Sequence, residues 1–91
     1  MLIVRWTRPA ENDLKRINKR IAAHSAVNAD QLLHSIMAKA DERALYSRMG
    51  RQGRVPGTRE LLVHPHYLPV YRTIGTDVKI LALKHTSQQS P

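Results

Sequence analysis

Between Arg48 and Arg72 the chain places five arginines, Arg48, Arg51, Arg54, Arg59 and Arg72, against one acid, Glu60. Gly50, Gly53 and Gly57, three of its four glycines, fall in the same stretch. A guanidinium is always charged and contacts carboxylates or phosphates in a bidentate manner, and interleaved glycines leave backbone amides open to a ligand. The stretch therefore predicts an anion-binding surface formed by Arg51, Arg54, Arg59 and Arg72, the alternative being a solvated basic loop. His64, His66 and His85 have the residue type of a general base or a metal ligand. His64 and His66 flank Pro65 in a turn, so their rings need not share a face, and no Asp or Glu lies within three residues of them to complete a hard site. No metal centre and no cofactor is expected. His85 ends the final apolar run, where it can act as a general acid or serve as a hydrogen-bonded structural residue. Tyr67 and Tyr71 are spaced for one strand face, suited either to stacking on a nucleobase or to ordinary sheet packing.

The elements that must position these residues are legible in the periodicity. "LIVRW" (residues 2–6) reads as a short strand ended by Thr7 and Pro9. Thr7 is the candidate N-cap of a helix in which Ala10, Leu14, Ile17 and Ile21 form the apolar stripe. Lys15, Arg16, Lys19 and Arg20 occupy its other face, a basic surface able to dock an acidic partner helix. "HSAVN" interrupts the pattern, with Ser25 or Asn28 to cap a second helix carrying Leu33, Ile36, Met37, Ala40 and Ala44 and stopping before Gly50. Gly53, Pro56 and Gly57 mark a loop, after which "TRELLVH", "YLPVYRTI" and "VKILALKH" read as three strands separated by turns at residues 64–66 and 75–77. Pro69, which lacks a ladder donor, predicts a local irregularity in the second of these. The fold class is α+β: an N-terminal strand, an antiparallel helical hairpin, then a three-stranded antiparallel meander. The hairpin should cover one sheet face and leave the other partly open.

Composition sets the outer bounds. Ninety-one residues make one domain, 1–91. Without cysteine there is neither a disulfide nor a thiolate metal site, and a reducing cytoplasm is the expected setting. The opening apolar run turns polar after six residues, too short for a signal peptide or a membrane span. Fifteen Lys and Arg against seven Asp and Glu give a net charge of +8, which favours an anionic partner: nucleic acid, an acidic protein, or both in turn.

Four stretches taken together resemble a known family: Trp6 with the spacing "A..DL..I...IA" from Ala10 to Ala22, "GRQGRVPGTREL" from Gly50 to Leu61, "YLPVYR" from Tyr67 to Arg72, and "ILALKH" from Ile80 to His85. The chain resembles the ParE branch of the ParE and RelE toxin superfamily, the toxin halves of bacterial type II toxin–antitoxin pairs. That resemblance implies a toxin that inhibits DNA gyrase and is neutralised by a cognate acidic, ParD-like antitoxin in a hetero-oligomeric complex. Arg51, Arg54, Arg59, Arg72 and His85 would meet target or antitoxin, and Lys15, Arg16 and Lys19 the antitoxin. The RelE branch implies an alternative, a ribosome-dependent endoribonuclease that cuts mRNA, with Arg59, Arg72 and His85 in catalytic roles. Its middle strand reads "YRLVY" with a catalytic arginine, whereas "YLPVY" here places Leu68 at that position, and its basic C-terminal residues are met by Ser87, Gln88 and Gln89. A second alternative is an inactive homologue that acts only by binding its antitoxin.

Overall fold

The computed structural model describes residues 2–46 and 51–86; Arg48, Gly50, Ser87, Gln88, Gln89 and the side chain of Arg51 lie outside the described residues. Seven elements follow in order: β1 (Ile3–Trp6), α1 (Arg8–Ala22), α2 (Ala26–Ala44), β2 (Arg51–Gln52), β3 (Arg59–Glu60), β4 (Tyr67–Ile74) and β5 (Asp77–His85). The strands form one sheet in the order β1-β5-β4-β3-β2. β1 runs parallel to β5, and every other neighbouring pair is antiparallel.

The expected stripes build the core. Ala10, Leu14 and Ile17 of α1 and Ile36, Ala40 and Ala44 of α2 are buried against Tyr71, Val78, Ile80 and Leu83 of the sheet. Each fully buried Leu or Ile is worth about 1.5–3 kcal/mol of transfer free energy, so this layer holds the helical hairpin on one sheet face. Ile21 and Leu33 are half-buried at its margin, while Met37, expected in the stripe, is exposed. Ser25 caps α2 by accepting a hydrogen bond from the Asn28 backbone N–H at 3.2 Å. Thr7 holds the N-cap position of α1 but caps nothing with its side chain; its hydroxyl donates to the Ile80 carbonyl at 2.8 Å and ties the β1–α1 junction to β5.

β1 covers only the first half of β5, from Asp77 to Ile80. Beyond it, the Leu83 backbone N–H donates to Asp13 Oδ2 at 2.9 Å, so a carboxylate on α1 satisfies an amide on the strand edge. The other oxygen of Asp13 accepts from Arg16. At the far side of α2, Trp6 Nε1 donates to Asp41 Oδ1 at 3.1 Å.

Two strands differ from expectation. β2 is a strand where a loop was predicted, and the run "TRELLVH" contributes only Arg59 and Glu60. Pro69 gives the reason for the second difference. The Leu61 N–H donates to the Pro69 carbonyl at 3.0 Å, but the reciprocal bond needs a donor that proline lacks, and the ladder to β4 ends there. The irregularity predicted at Pro69 is this truncation, joined by a register shift at Val70/Tyr71 that leaves Leu81 as the extra residue of β5. The turn before β5 uses Gly75 at φ +60°. Among the described residues no helix is long and apolar enough to cross a membrane.

A candidate anion-binding cleft beside the open sheet face

The β2–β3 hairpin folds back along β4 and closes a cleft. Its loop is pinned by three bonds: Gly53 N–H to the Thr58 carbonyl at 2.8 Å, Thr58 N–H to the Val55 carbonyl at 3.1 Å, and the Thr58 hydroxyl to that same carbonyl at 2.6 Å. Gly53 is required there because a Cβ would collide with Thr58 Oγ1. Gly57 adopts φ +85°, and Arg72 Nη2 lies 3.7 Å from where its Cβ would stand. The resulting cleft has a volume of about 630 Å³ and is lined by Arg54, Arg59, Arg72, Gly53, Gly57 and Tyr71 among others.

Three of the four arginines expected to act together therefore share one concavity, two of them, Arg54 and Arg72, exposed. Glu60, the single acid of the stretch, is only 5% exposed, against the three arginines that line the cleft. Among the described residues no ion pair engages Arg72. The exposed guanidinium groups of Arg54 and Arg72 can receive a carboxylate or phosphate there, and the glycine backbone allows close approach.

His85 does not join them. It pairs with Tyr67, the first residue of β4, whereas Arg59 pairs with Tyr71 near the middle of that strand. Four strand steps separate those positions, roughly 13 Å at about 3.3 Å per residue. His85 instead belongs to a ring cluster: its ring stacks on His66 at 5.7 Å and meets Tyr67 edge-on at 5.4 Å, while His64 lies 5.6 Å from His66 and 5.4 Å from Tyr67. His64 Nδ1 accepts the His66 backbone N–H at 3.0 Å. Burial, and then the neighbouring His66 and Lys39, hold the His64 imidazole below its ordinary value of 6.5. Among the described residues no group of three or more His, Cys, Asp or Glu could hold a metal ion. Tyr67 and Tyr71 are buried on the helix side of the sheet, 8% and 0% exposed, and neither is available for stacking on a base. Lys15, Arg16 and Lys19 are exposed along α1, on the far side of the molecule from the open sheet face.

Two cations absent from the predicted site stand beside it. Arg5 of β1 pairs with Lys79 of β5, and Lys79 pairs with Arg72 of β4. Directly paired residues share a sheet face, so these three form a row across the surface opposite the helices, and Arg72 connects the row to the cleft. The local signal was present: Arg5 and Lys79 are the polar members of the alternations "IVRW" and "VKIL". What no local pattern supplies is the parallel pairing of β1 with β5 across seventy intervening residues.

Comparison with known proteins places this geometry in a family. The model of the "ParE toxin of type II toxin-antitoxin system, parDE" matches residues 4–90. The Sinorhizobium fredii protein Y4kP is 37% identical over 90 residues, covering 97% of this chain and 92% of that one. The fold is similar to that of a structure of the chromosomal ParDE toxin–antitoxin system from P. aeruginosa, with a TM-score of 0.85 at 24% identity over 93% of this chain and 96% of the other. The RelBE2 toxin–antitoxin complex from Mycobacterium tuberculosis matches with a TM-score of 0.59 at 25% identity over 92% and 96% of the two chains. The E. coli DinJ-YafQ complex matches over the full length of both chains with a TM-score of 0.57 at 13% identity.

Proposed function

The chain belongs to the ParE toxin family of type II toxin–antitoxin systems, and we propose that it inhibits DNA gyrase and is neutralised by a cognate acidic antitoxin. The observation that carries this reading is that Arg54, Arg59 and Arg72 line one cleft. Such a surface has two uses. It presents fixed positive charge to an anionic region of gyrase or its bound DNA, and it is silenced when antitoxin carboxylates occupy the same guanidinium groups. The exposed cations Lys15, Arg16 and Lys19 on α1 supply a second electrostatic contact for the antitoxin, on the far side of the hairpin. The place of action is the cytoplasm, where gyrase works on the chromosome.

Two features speak against the endoribonuclease chemistry of the RelE branch. Leu68, which stands where that branch has its catalytic arginine, is 1% exposed and reaches no solvent-facing phosphate. His85 and Arg59 pair with β4 residues four positions apart, about 13 Å along the strand, whereas a proton-transfer group and the cation that stabilises the same phosphate must both reach one reacting centre. A missing guanidinium at a phosphoryl-transfer site costs roughly 3–4 kcal/mol by analogy with a lost oxyanion donor.

Purified toxin added to gyrase with supercoiled plasmid, and separately to translating ribosomes, tests the proposal. Inhibited supercoiling that is restored by the antitoxin encoded beside the toxin is the expected result. Codon-register cuts in mRNA with gyrase untouched would assign the chain to ribosome-dependent cleavage, and activity in neither assay would leave a module that only binds its antitoxin.

A further inference from the structure

The row of Arg5, Lys79 and Arg72 is accompanied by a second row on the same open face. Ile3 pairs with Asp77, and Asp77 pairs with Ile74, two residues along each strand from the cations. Ile3 is 46% exposed and Ile74 52%, so two β-branched side chains face water on a strand surface. Asp77 lies between them and its carboxylate reaches Arg5 Nε at 3.4 Å. Among the described residues no ion pair engages Lys79 or Arg72.

From this pattern we propose that the two-row patch receives an extended segment of the antitoxin in which an acidic and an apolar residue stand two positions apart. The proposal rests on the antitoxin reading above and assigns it a face and a chemistry. The spacing carries it. Two residues along a strand advance about 6.6–6.8 Å, which is also the repeat of same-side residues in an extended peptide lying along the strands. Such a segment would set its carboxylate over Lys79 and Arg72 and its apolar side chain against Ile74, to the side of the Asp77 carboxylate that Arg5 holds. The patch is three strands wide, about 9–10 Å between outer strand axes, enough for one such segment. A nucleic-acid backbone fits less well, because it would meet two isoleucines and the Asp77 carboxylate beside every phosphate contact it made on Lys79.

The test uses the full-length toxin with the neighbouring-frame antitoxin, and a single-stranded 20-nucleotide DNA as a second probe. Affinities are measured by calorimetry at two salt concentrations for the wild type, Lys79→Glu, Ile74→Ser and, to weigh the separate helix-face contact, Lys15→Glu, with thermal melts to establish folding. The proposal expects Lys79→Glu to weaken antitoxin binding at least tenfold with reduced salt dependence, Ile74→Ser to weaken it several-fold with none, and melting temperatures to stay within a few degrees. Because Ile74 carries no charge and lies in an exposed row, its variant keeps the test open should Lys79→Glu fold poorly. Unchanged antitoxin affinity in both sheet variants, with loss in Lys15→Glu, would overturn the assignment and place the antitoxin on the helices alone. Loss of DNA binding but not antitoxin binding in Lys79→Glu would make the row a nucleic-acid contact and also overturn it. A wild-type toxin that binds no antitoxin would instead remove the reading on which the proposal stands.

Discussion

The guanidinium of Arg72 lies over the α-carbon of Gly57: its Nη2 is 3.7 Å from the point a Cβ would occupy, and Gly57 itself has φ +85°. The loop backbone and the central cation of the site are thereby fitted to one another. A Gly57→Ala chain must hold a left-handed conformation that costs an L-residue roughly 1–2 kcal/mol. For a domain of this size the melting temperature should fall by about 4–8 °C per kcal/mol, which differential scanning calorimetry can read. Gly53→Ala should disturb the loop through a different cause, since its Cβ displaces the Thr58 hydroxyl from the Val55 carbonyl. An unchanged melting temperature in both variants would show that the loop adapts freely.

Asp13 is predicted to matter more for stability than any exposed charge on α1. Asp13→Ala strands the part-buried Leu83 N–H, an unmade hydrogen bond costing about 1–3 kcal/mol. Arg16→Ala removes only the exposed partner of the same carboxylate and should cost roughly 0.2–1 kcal/mol. Urea midpoints of the two variants measure the difference, and equal losses would mean that the strand-edge bond contributes little.

Stability should fall as the solution is acidified below neutrality, with His64 contributing. Its folded imidazole titrates below 6.5, through burial and then the charges of His66 and Lys39. The unfolded chain therefore binds a proton first, so the stabilisation is complete above pH 6.5 and is lost as pH falls from there through the lower folded value. His66 and Tyr67 flank the ring. Denaturant midpoints between pH 7.5 and pH 5 should slope less in His64→Asn, whose amide oxygen can still accept the His66 N–H. An identical slope would place the pH dependence elsewhere.

Placing an arginine at position 68 should not create a nuclease. Leu68 is buried, so Leu68→Arg forfeits about 1.5–3 kcal/mol of apolar burial and must also desolvate a charge. The variant should melt well below the parent and leave mRNA intact in a translation extract. A stable Leu68→Arg protein that cuts mRNA would contradict this.

Much of the molecule was readable from local pattern. The apolar stripes of both helices, the Ser25 cap, the β4–β5 hairpin and the grouping of Arg54, Arg59 and Arg72 all follow from periodicity, turn residues and clustered charge, which act over a few residues. The departures are tertiary. β3 is cut to two residues by a missing donor on Pro69, a partner strand away. Arg5 and Lys79 enter the site only through the parallel pairing of β1 with β5, and His85 stands apart from it because Tyr67 and Tyr71 lie four positions apart along the ladder. Sequence spacing names the residue types; register decides which of them meet.

The most direct measurement is accumulation of gyrase-cleaved plasmid at equal concentrations of wild-type toxin and an Arg72→Ala variant confirmed to melt at the parent temperature. Cleaved DNA should build up with the wild type and fall at least tenfold with Arg72→Ala, and added antitoxin should abolish it. Equal accumulation for the two proteins would contradict a role for the arginine cleft in meeting gyrase, and no accumulation with either would contradict gyrase as the target.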